Sequence, residues 1–234
     1  MKQLEFVNKS FEKVVRHELL IYDRPITDED ALLAYDLDCS DFIFDIEDCE
    51  TLCAFKNLDW LDITIGFENM SFLQNLKNLE ELTIEFYGDD FDFTYLSLLK
   101  KLTSIMVTGG AWSNFNFHNL NAISQLPLLK ELTLHEFGSV DLLALKEMPQ
   151  LKGFYCGYAS KVENVSVISN LINLESLILI DFAVDNLEFL DSLSEDLILT
   201  LCSIEVVGQV SIEKLKRFKE YDLDEIVANG KRII

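Results

Sequence analysis

The side chains of this sequence that could act as bases, nucleophiles or metal ligands are three histidines and five cysteines. His135 follows Glu131 by four residues, and Glu85 could approach it from a neighbouring segment, so two carboxylates and one imidazole could bind a metal ion. Cys49 and Cys53 are also four residues apart, whereas structural zinc sites use paired Cys-x-x-Cys knuckles. Because neither spacing is a known ligand motif, we expect a solvated histidine beside acids, buried free thiols and no metal.

The sequence also lacks the short motifs that build common catalytic sites. It contains no phosphate-binding loop, no Gly-x-Gly-x-x-Gly and no Gly-x-Ser-x-Gly. We therefore predict that the protein is not an enzyme and uses no cofactor. Its function must then come from a binding surface, and the composition indicates what that surface prefers.

Negative charge is the strongest bias in the composition. Asp and Glu number 41 against 19 Lys and Arg, which gives a net charge of −22. Such a chain is repelled by nucleic-acid phosphates and by anionic membranes, and it attracts basic proteins. No stretch approaches 18 uncharged apolar residues, so we expect neither a membrane nor a nucleic acid as partner. The alternative is that the acidity serves only solubility.

The N-terminus and the cysteine count both favour a cytoplasmic location. Residues 1–9 contain no apolar segment of the secretory type. An odd number of cysteines is typical of reduced thiols packed as small apolar groups. We predict a monomer whose 234 residues form one domain.

One apolar pattern, φ-x-x-φ-x-φ, recurs along the middle of the chain and must position everything else. The steps between its first positions are 21, 23, 27, 22 and 23 residues. The last two apolar positions of each copy alternate as in a strand, and a period in the twenties indicates stacked repeats with one continuous core. The copies begin at Leu58, Leu79, Leu102, Leu129, Leu151 and Leu174, and degenerate copies lie at Leu37/Cys39 and Leu197/Leu199.

This pattern resembles the leucine-rich repeat family, in particular its short bacterial internalin-like and phosphatase-regulator-like repeats. Asp45-Ile46-Glu47 and Val140-Asp141-Leu142 resemble the aspartate that follows the strand in those repeats. The resemblance implies an α/β solenoid over residues 35–206, with a right-handed, curved parallel sheet of about eight strands. Because this fold has many unrelated roles, function must be argued from the surface.

The sequence departs from that family where an asparagine normally bonds the turns of neighbouring repeats. The equivalent positions are mostly aromatic or small, so we expect packing rather than amide hydrogen bonds to hold this turn. These positions are Phe42, Gly66, Tyr87, Gly110, Phe137, Ala159 and Phe182.

Both ends of the repeat array are predicted to be helical caps, because the end of a solenoid core must be covered. In residues 1–34, Ser10 is expected to cap one helix, and Thr27 with Asp30 to begin another. In residues 207–234, Ser211 is expected to cap a C-terminal helix.

Outward residues of neighbouring strands should form columns on the concave face of the sheet, because side chains alternate along a strand. The predicted columns contain seven acidic residues and no Lys or Arg, and they end on Asp196, Ile198 and Thr200. Acids beside aromatic residues are typical of a surface that binds a basic protein, and an ordinary solvated sheet is the alternative. Ile178, Ile180 and Ile198 are expected to pack under the C-terminal cap. The predicted partner-binding residues are Asp36, Asp38, Trp60, Asp62, Glu81, Glu85, Glu131, His135 and Tyr155, with Trp112 on a Gly-rich loop as a second contact.

These predictions lead to a cytoplasmic, non-enzymatic binder of a basic protein partner. Its concrete form is an immunity-type inhibitor of a toxin or nuclease domain, similar to the acidic ribonuclease inhibitors of the repeat family. A regulatory or scaffold protein is one alternative. A secreted adhesion or effector protein is another, although it conflicts with the N-terminal sequence.

Overall fold

The alternation of apolar and polar residues in each repeat produces a strand with one buried side. In the computed structural model, which describes residues 2–110 and 114–234, the paired strand residues Leu61, Leu82 and Ile105 are all at most 2% exposed. Buried leucines also fill the turn before each strand, so successive repeats share one core. The strands are β1 Asp36–Phe44, β2 Trp60–Ile65, β3 Glu81–Phe86, β4 Asp90–Asp92, β5 Ser104–Gly109, β6 Asn116–His118, β7 Glu131–Asp141, β8 Gly153–Glu163, β9 Ser176–Val184, β10 Ile198–Val206, β11 Glu220–Asp224, β12 Val227–Ala228 and β13 Lys231–Arg232.

The main sheet is parallel and unclosed, as the repeat pattern predicts. Its order is β1-β2-β3-β5-β7-β8-β9-β10-β11, which is nine strands where the sequence indicated about eight. The short strands β4 and β6 pair beside it, and the far end of β10 pairs with β12. Only the β12–β13 pair among the described strands is antiparallel.

Helices are short between the strands, where 3₁₀ turns return the chain to the next strand. The α-helices are α1 Lys9–Leu19, α2 Asp28–Ala31, α3 Cys49–Leu52 and α4 Ile212–Leu215. The 3₁₀ helices span Ile46–Asp48, Ser71–Asn75, Phe93–Leu96, Leu120–Ile123, Leu142–Glu147, Val165–Asn170 and Glu188–Ser192.

The N-terminal segment folds as helices that cover the first repeat, but the residue that caps its first helix differs from the predicted one. The side chain of Asn8, not Ser10, caps α1 by accepting hydrogen bonds from the backbone N–H of Ser10 and Phe11, at 2.8 and 3.4 Å. Asn8 takes this role because its own extended backbone leaves its amide oxygen facing the first turn. The capping box of Thr27 and Asp30 is confirmed.

The C-terminal segment is not the helical cap that the sequence suggested. Helix α4 has only four residues, and the Ser211 side chain makes no capping hydrogen bond. The chain continues instead as β11, which pairs with the open edge of β10. The free N–H and C=O groups of that edge favour a strand, and the alternation of Tyr221 and Leu223 with acids suits one.

Amide side chains do connect the repeats, but they lie before each strand and not at the positions after it where the family's asparagine is missing. Asn57, Asn78 and Asn173 each lie just before the first leucine of a repeat, in the turn that leads into the strand. Their amides donate to the carbonyls of Leu32, Lys56 and Pro149 in the preceding repeat, at 2.7–2.8 Å. Of the positions that lack the family's asparagine, Phe137, Ala159 and Phe182 are buried but lie inside β7, β8 and β9, whereas Gly66 and Tyr87 are exposed.

Candidate functional site

The strand register places the predicted outward residues side by side on the concave face. Asp36 pairs with Trp60 and Trp60 with Glu81, while Asp38 pairs with Asp62. Since adjacent strands lie about 4.8 Å apart, these side chains are direct neighbours. The sequence alone predicted this part of the surface, because the two-residue alternation of a strand determines which side chains face outward.

The last strands differ from the predicted columns. Ser176 pairs with Ile198, and Ile178 with Thr200, so β10 is displaced by two residues and Asp196 precedes the strand. Strand β11 then adds three carboxylates. The observed columns therefore contain nine acidic residues and, among the described residues, no Lys or Arg. These acids are Asp36, Asp38, Asp62, Glu81, Glu85, Glu131, Glu220, Asp222 and Asp224.

The isoleucines of these columns were wrongly expected under the C-terminal cap. Ile178 and Ile180 are half-buried within the sheet face, and Ile198 is 44% exposed. The cap cannot cover them because its chain extends the sheet through β11 rather than folding over it. They form an apolar stretch between the two acidic ends of the columns.

Three carboxylates concentrate negative charge near the N-terminal end of the concave face. Asp62 is half-buried and lies beside Asp38. Glu85 is on the adjacent strand β3, two residues beyond the residue that pairs with Asp62. Burial, followed by repulsion from Asp38 and Glu85, raises the pKa of Asp62 to about 6. A bound cation would relieve both effects, so this part of the face favours positively charged ligands.

We expect Asp62→Asn to stabilise the protein at pH 7.5 by about 1–2 kcal/mol, after allowance for solvent screening. The folded pKa exceeds the unfolded one, so the penalty on the ionised form is complete above pH 6. It is relieved as the pH falls towards 4, because the folded state then binds the proton first. Urea unfolding of both proteins across this pH range measures the difference. The exposed Asp185, changed to Asn, is the control, and an equal gain there would contradict the explanation.

His135 lies in the third column among aromatic and polar groups, and the acid near it is Glu136 of the same strand. Its Nδ1 is 3.0 Å from the Thr108 hydroxyl, and its ring lies 5.4 Å from that of Tyr155 and 4.8 Å from that of Tyr158. Burial lowers its pKa, which the nearby Glu136 partly offsets. The expected neighbours are elsewhere: the Glu131 carboxylate covers Gly153, in space that a side chain there would need.

The described residues offer no cluster of three His, Cys, Asp or Glu side chains suited to a metal ion. Burial raises the pKa of Glu131, which repulsion by Glu175 raises further and Lys152 lowers. Lys152 pairs with Glu175 outside the columns, so it offsets only part of the charge of Glu131. Trp112 lies outside the described residues.

Sequence reasoning missed the residues in the middle of β7 and β8 at which the backbone adopts positive φ. Glu136 and Tyr158 face the same margin as His135, and both have positive φ, at 52° and 55°. The same conformation recurs at intervals of 22 or 23 residues, but no shared residue type marks these positions in the sequence. It occurs at Glu136, Tyr158, Asp181, Ser203 and Glu225.

Comparison with known proteins identifies the architecture. No protein-family model matches the sequence, and no curated protein matches it significantly. The crystal structure of internalin C2 from Listeria monocytogenes str. 4b F2365 superposes with a TM-score of 0.73, covering 95% of this chain and 98% of that one at 16% identity. The fold is that of the leucine-rich repeat proteins. The internalin-like repeat predicted from the sequence is thus confirmed at the level of structure.

Two further solved leucine-rich repeat structures contain bound ligands. One is the ectodomain of the Arabidopsis thaliana receptor kinase GASSHO1/SCHENGEN3 with CASPARIAN STRIP INTEGRITY FACTOR 2, at a TM-score of 0.54, 20% identity and coverage of 75% of this chain and 22% of that one. The other is the TLR13–ssRNA13 complex, which superposes with a TM-score of 0.62 at 15% identity and covers 88% of this chain and 32% of that one. Within the described residues of the present protein, no helix is long and apolar enough to cross a bilayer.

Proposed function

We propose that this protein is a non-enzymatic binding module that holds a basic protein against its concave face. The observation behind the proposal is the charge distribution of the columns, which present nine carboxylates while all 19 Lys and Arg lie elsewhere. Aromatic residues beside these acids would supply contact area, and the acids would orient and attract the partner.

The bound ligands of the solved relatives support a binding role, and the charge of this chain selects among ligand classes. A net charge of −22 repels the phosphates of a single-stranded RNA such as that bound by TLR13. A basic polypeptide gains from the same field. The more specific form of the proposal is an immunity-type inhibitor of a toxin or nuclease domain in the cytoplasm, where blocking a basic active surface needs no chemistry from the inhibitor.

We expect a fourfold variant with Asp62, Glu81, Glu85 and Glu131 changed to Lys to lose the partner that the wild-type protein captures from its native lysate. The matched control is a second variant of equal net charge, in which exposed acids outside the columns are reversed. Its substitutions are Glu50→Lys, Glu147→Lys, Asp185→Lys and Glu188→Lys.

The captured partner allows a kinetic test of the same proposal. Its association rate with the wild-type protein should fall about tenfold or more from low to high salt, because screening removes long-range attraction.

Capture by both variants would show that the concave face is not the contact. Equal loss in both would show that only total charge matters, and either result would overturn the proposal.

A further inference from the structure

A group of aromatic and acidic side chains lies along one margin of the concave face, beside the end of β3 and the middle of β7 and β8. We call it the aromatic margin. Its members come from these three strands, with Tyr87 directly after β3, and are brought together only by the stacking of the repeats. They are Glu85, Tyr87, His135, Glu136, Tyr155 and Tyr158.

One side of the aromatic margin is an oriented carboxylate beside an exposed ring. The Tyr87 hydroxyl donates to Oε1 of Glu85 at 2.9 Å. The Thr64 hydroxyl, whose shorter hydrogen bond goes to the Ser40 carbonyl at 3.0 Å, lies 3.3 Å from Oε2. The Tyr87 ring lies flat enough on Gly110 that a Cβ at that position would come within 2.1 Å of it. Glycine is therefore required here for the ring to approach the backbone, and Tyr87 remains 45% exposed.

The other side is a row of three rings. His135 lies between Tyr155 and Tyr158, with centroids 5.4 and 4.8 Å away, and its Nδ1 is fixed by Thr108. Tyr158 is 45% exposed although it packs edge-on against the imidazole. Tyr158 thus offers an exposed phenol whose position is restricted by packing, which keeps the entropic cost of binding low.

Glu136 lies between these two sides. Its carboxylate is 3.9 Å from Nδ1 of His135. It also contributes, as one of the smaller causes, to the raised pKa values of Tyr87, where the hydrogen bond to Glu85 dominates, and of Tyr155, where burial dominates. Among the ion pairs of the described residues, no Lys or Arg engages Glu85 or Glu136. Two carboxylates and several ring faces thus converge without a cation of the chain's own.

We propose that the aromatic margin receives an arginine side chain of the basic partner, with its guanidinium stacked on a tyrosine face and bonded to Glu136 or Glu85. This inference rests on the proposed function and specifies one of its contacts. Arginine fits better than lysine because its planar, weakly hydrated head can stack on a ring and donate two parallel hydrogen bonds to a carboxylate. Negative charge alone would not distinguish the two.

The test uses two fluorescein-labelled peptides of equal charge, hexa-arginine and hexa-lysine, and fluorescence anisotropy at physiological salt. We expect the wild-type protein to bind hexa-arginine about tenfold more tightly. Tyr158→Asn and Tyr87→Leu should each reduce that preference about fivefold while leaving hexa-lysine binding nearly unchanged. Asparagine suits position 158 because it tolerates positive φ. The control is Tyr22→Asn, which removes a 63% exposed tyrosine near the N-terminus.

The possible outcomes separate this inference from the proposed function. Equal binding of the two peptides, or a preference unaffected by Tyr158→Asn and Tyr87→Leu, would overturn the arginine site. If the fourfold column variant still binds hexa-lysine more weakly than its charge-matched control, the acidic face remains supported in that case. If it does not, the proposed function fails as well. Circular dichroism of each variant confirms that the repeats are folded.

Discussion

Phe91→Ala is expected to lower the free energy of unfolding by about 3–5 kcal/mol. The Phe91 ring is fully buried, and its centroid lies 5.3 Å from that of Phe86, 5.1 Å from Phe93 and 5.7 Å from Phe117. All three contacts are edge-on, the geometry in which aromatic rings attract beyond simple burial. Truncation therefore loses the burial of one ring, three ring contacts and the packing around the resulting cavity.

The position of Phe91 makes the loss hard to repair locally. Phe91 is paired with Phe117 between β4 and β6, and Phe117 in turn contacts Phe137, 4.8 Å away, on the following repeat. These rings form a continuous series from β4 through β6 to β7. Since a solenoid repeat is stabilised mainly by its neighbours, a cavity here weakens interfaces on both sides.

Urea unfolding monitored by circular dichroism measures this effect. Phe91→Leu, which keeps most of the apolar volume, should cost only about 1–2 kcal/mol. Tyr22→Ala removes an exposed aromatic residue and should change the stability by less than about 0.5 kcal/mol. A loss below about 1 kcal/mol for Phe91→Ala would mean that the ring series does not support the repeats.

The same phenylalanines show how far the sequence could predict the fold. The leucine period alone predicted the stacked strands, because inward positions recur every 22 residues or so and tolerate little else. We also predicted that packing replaces the missing asparagine: Phe137 and Phe182 are buried, but inside strands rather than in turns, and Tyr87 is exposed. The ladder formed by Asn57, Asn78 and Asn173 was not predicted, because a polar residue before a leucine has no distinctive pattern in one sequence.

The predicted register of the last repeat strand, β10, was wrong for a related reason. Leu197, Leu199 and Leu201 alternate over three positions, so two registers bury leucines equally well in the sequence pattern. The structure aligns Leu199 and Leu201 with Leu177 and Leu179 and uses Leu197 in the preceding turn. Period-two alternation cannot distinguish registers that differ by two residues, and only pairing with β9 and β11 does so.

The candidate site also has one part that the sequence could predict and one part that it could not. The acidic columns were predictable because strand alternation fixes which side chains point outward. The aromatic margin was not, because Glu136 and Tyr158 turn the chain through positive φ without the glycine or asparagine that usually marks such a conformation. A left-handed residue changes the face on which later side chains lie, so alternation from the strand fails at that point.

Asp48→Ala is expected to destabilise the protein by about 2–3 kcal/mol and to release the N-terminal segment first. Asp48 is fully buried, and its two carboxylate oxygens accept hydrogen bonds from the backbone N–H of Val7 and Asn8, at 2.9 and 2.7 Å. Both donors lie immediately before α1. Burial raises the pKa of this carboxyl, which the two N–H groups oppose, so removal also relieves some desolvation and the net loss is smaller than two full charged hydrogen bonds.

Two matched variants isolate the role of the Asp48 carboxylate. Asp48→Asn keeps one acceptor oxygen and should lose about half as much stability, while Asp45→Ala removes an exposed carboxylate that caps no helix and should have little effect. Amide hydrogen exchange of the wild-type protein and these variants locates the change. Because Phe11 of α1 packs 4.8 Å from Phe44 of β1, faster exchange should begin in α1 and extend to β1. Faster exchange spread evenly over all repeats would instead mean that Asp48 acts on the whole core and not on the attachment of the cap.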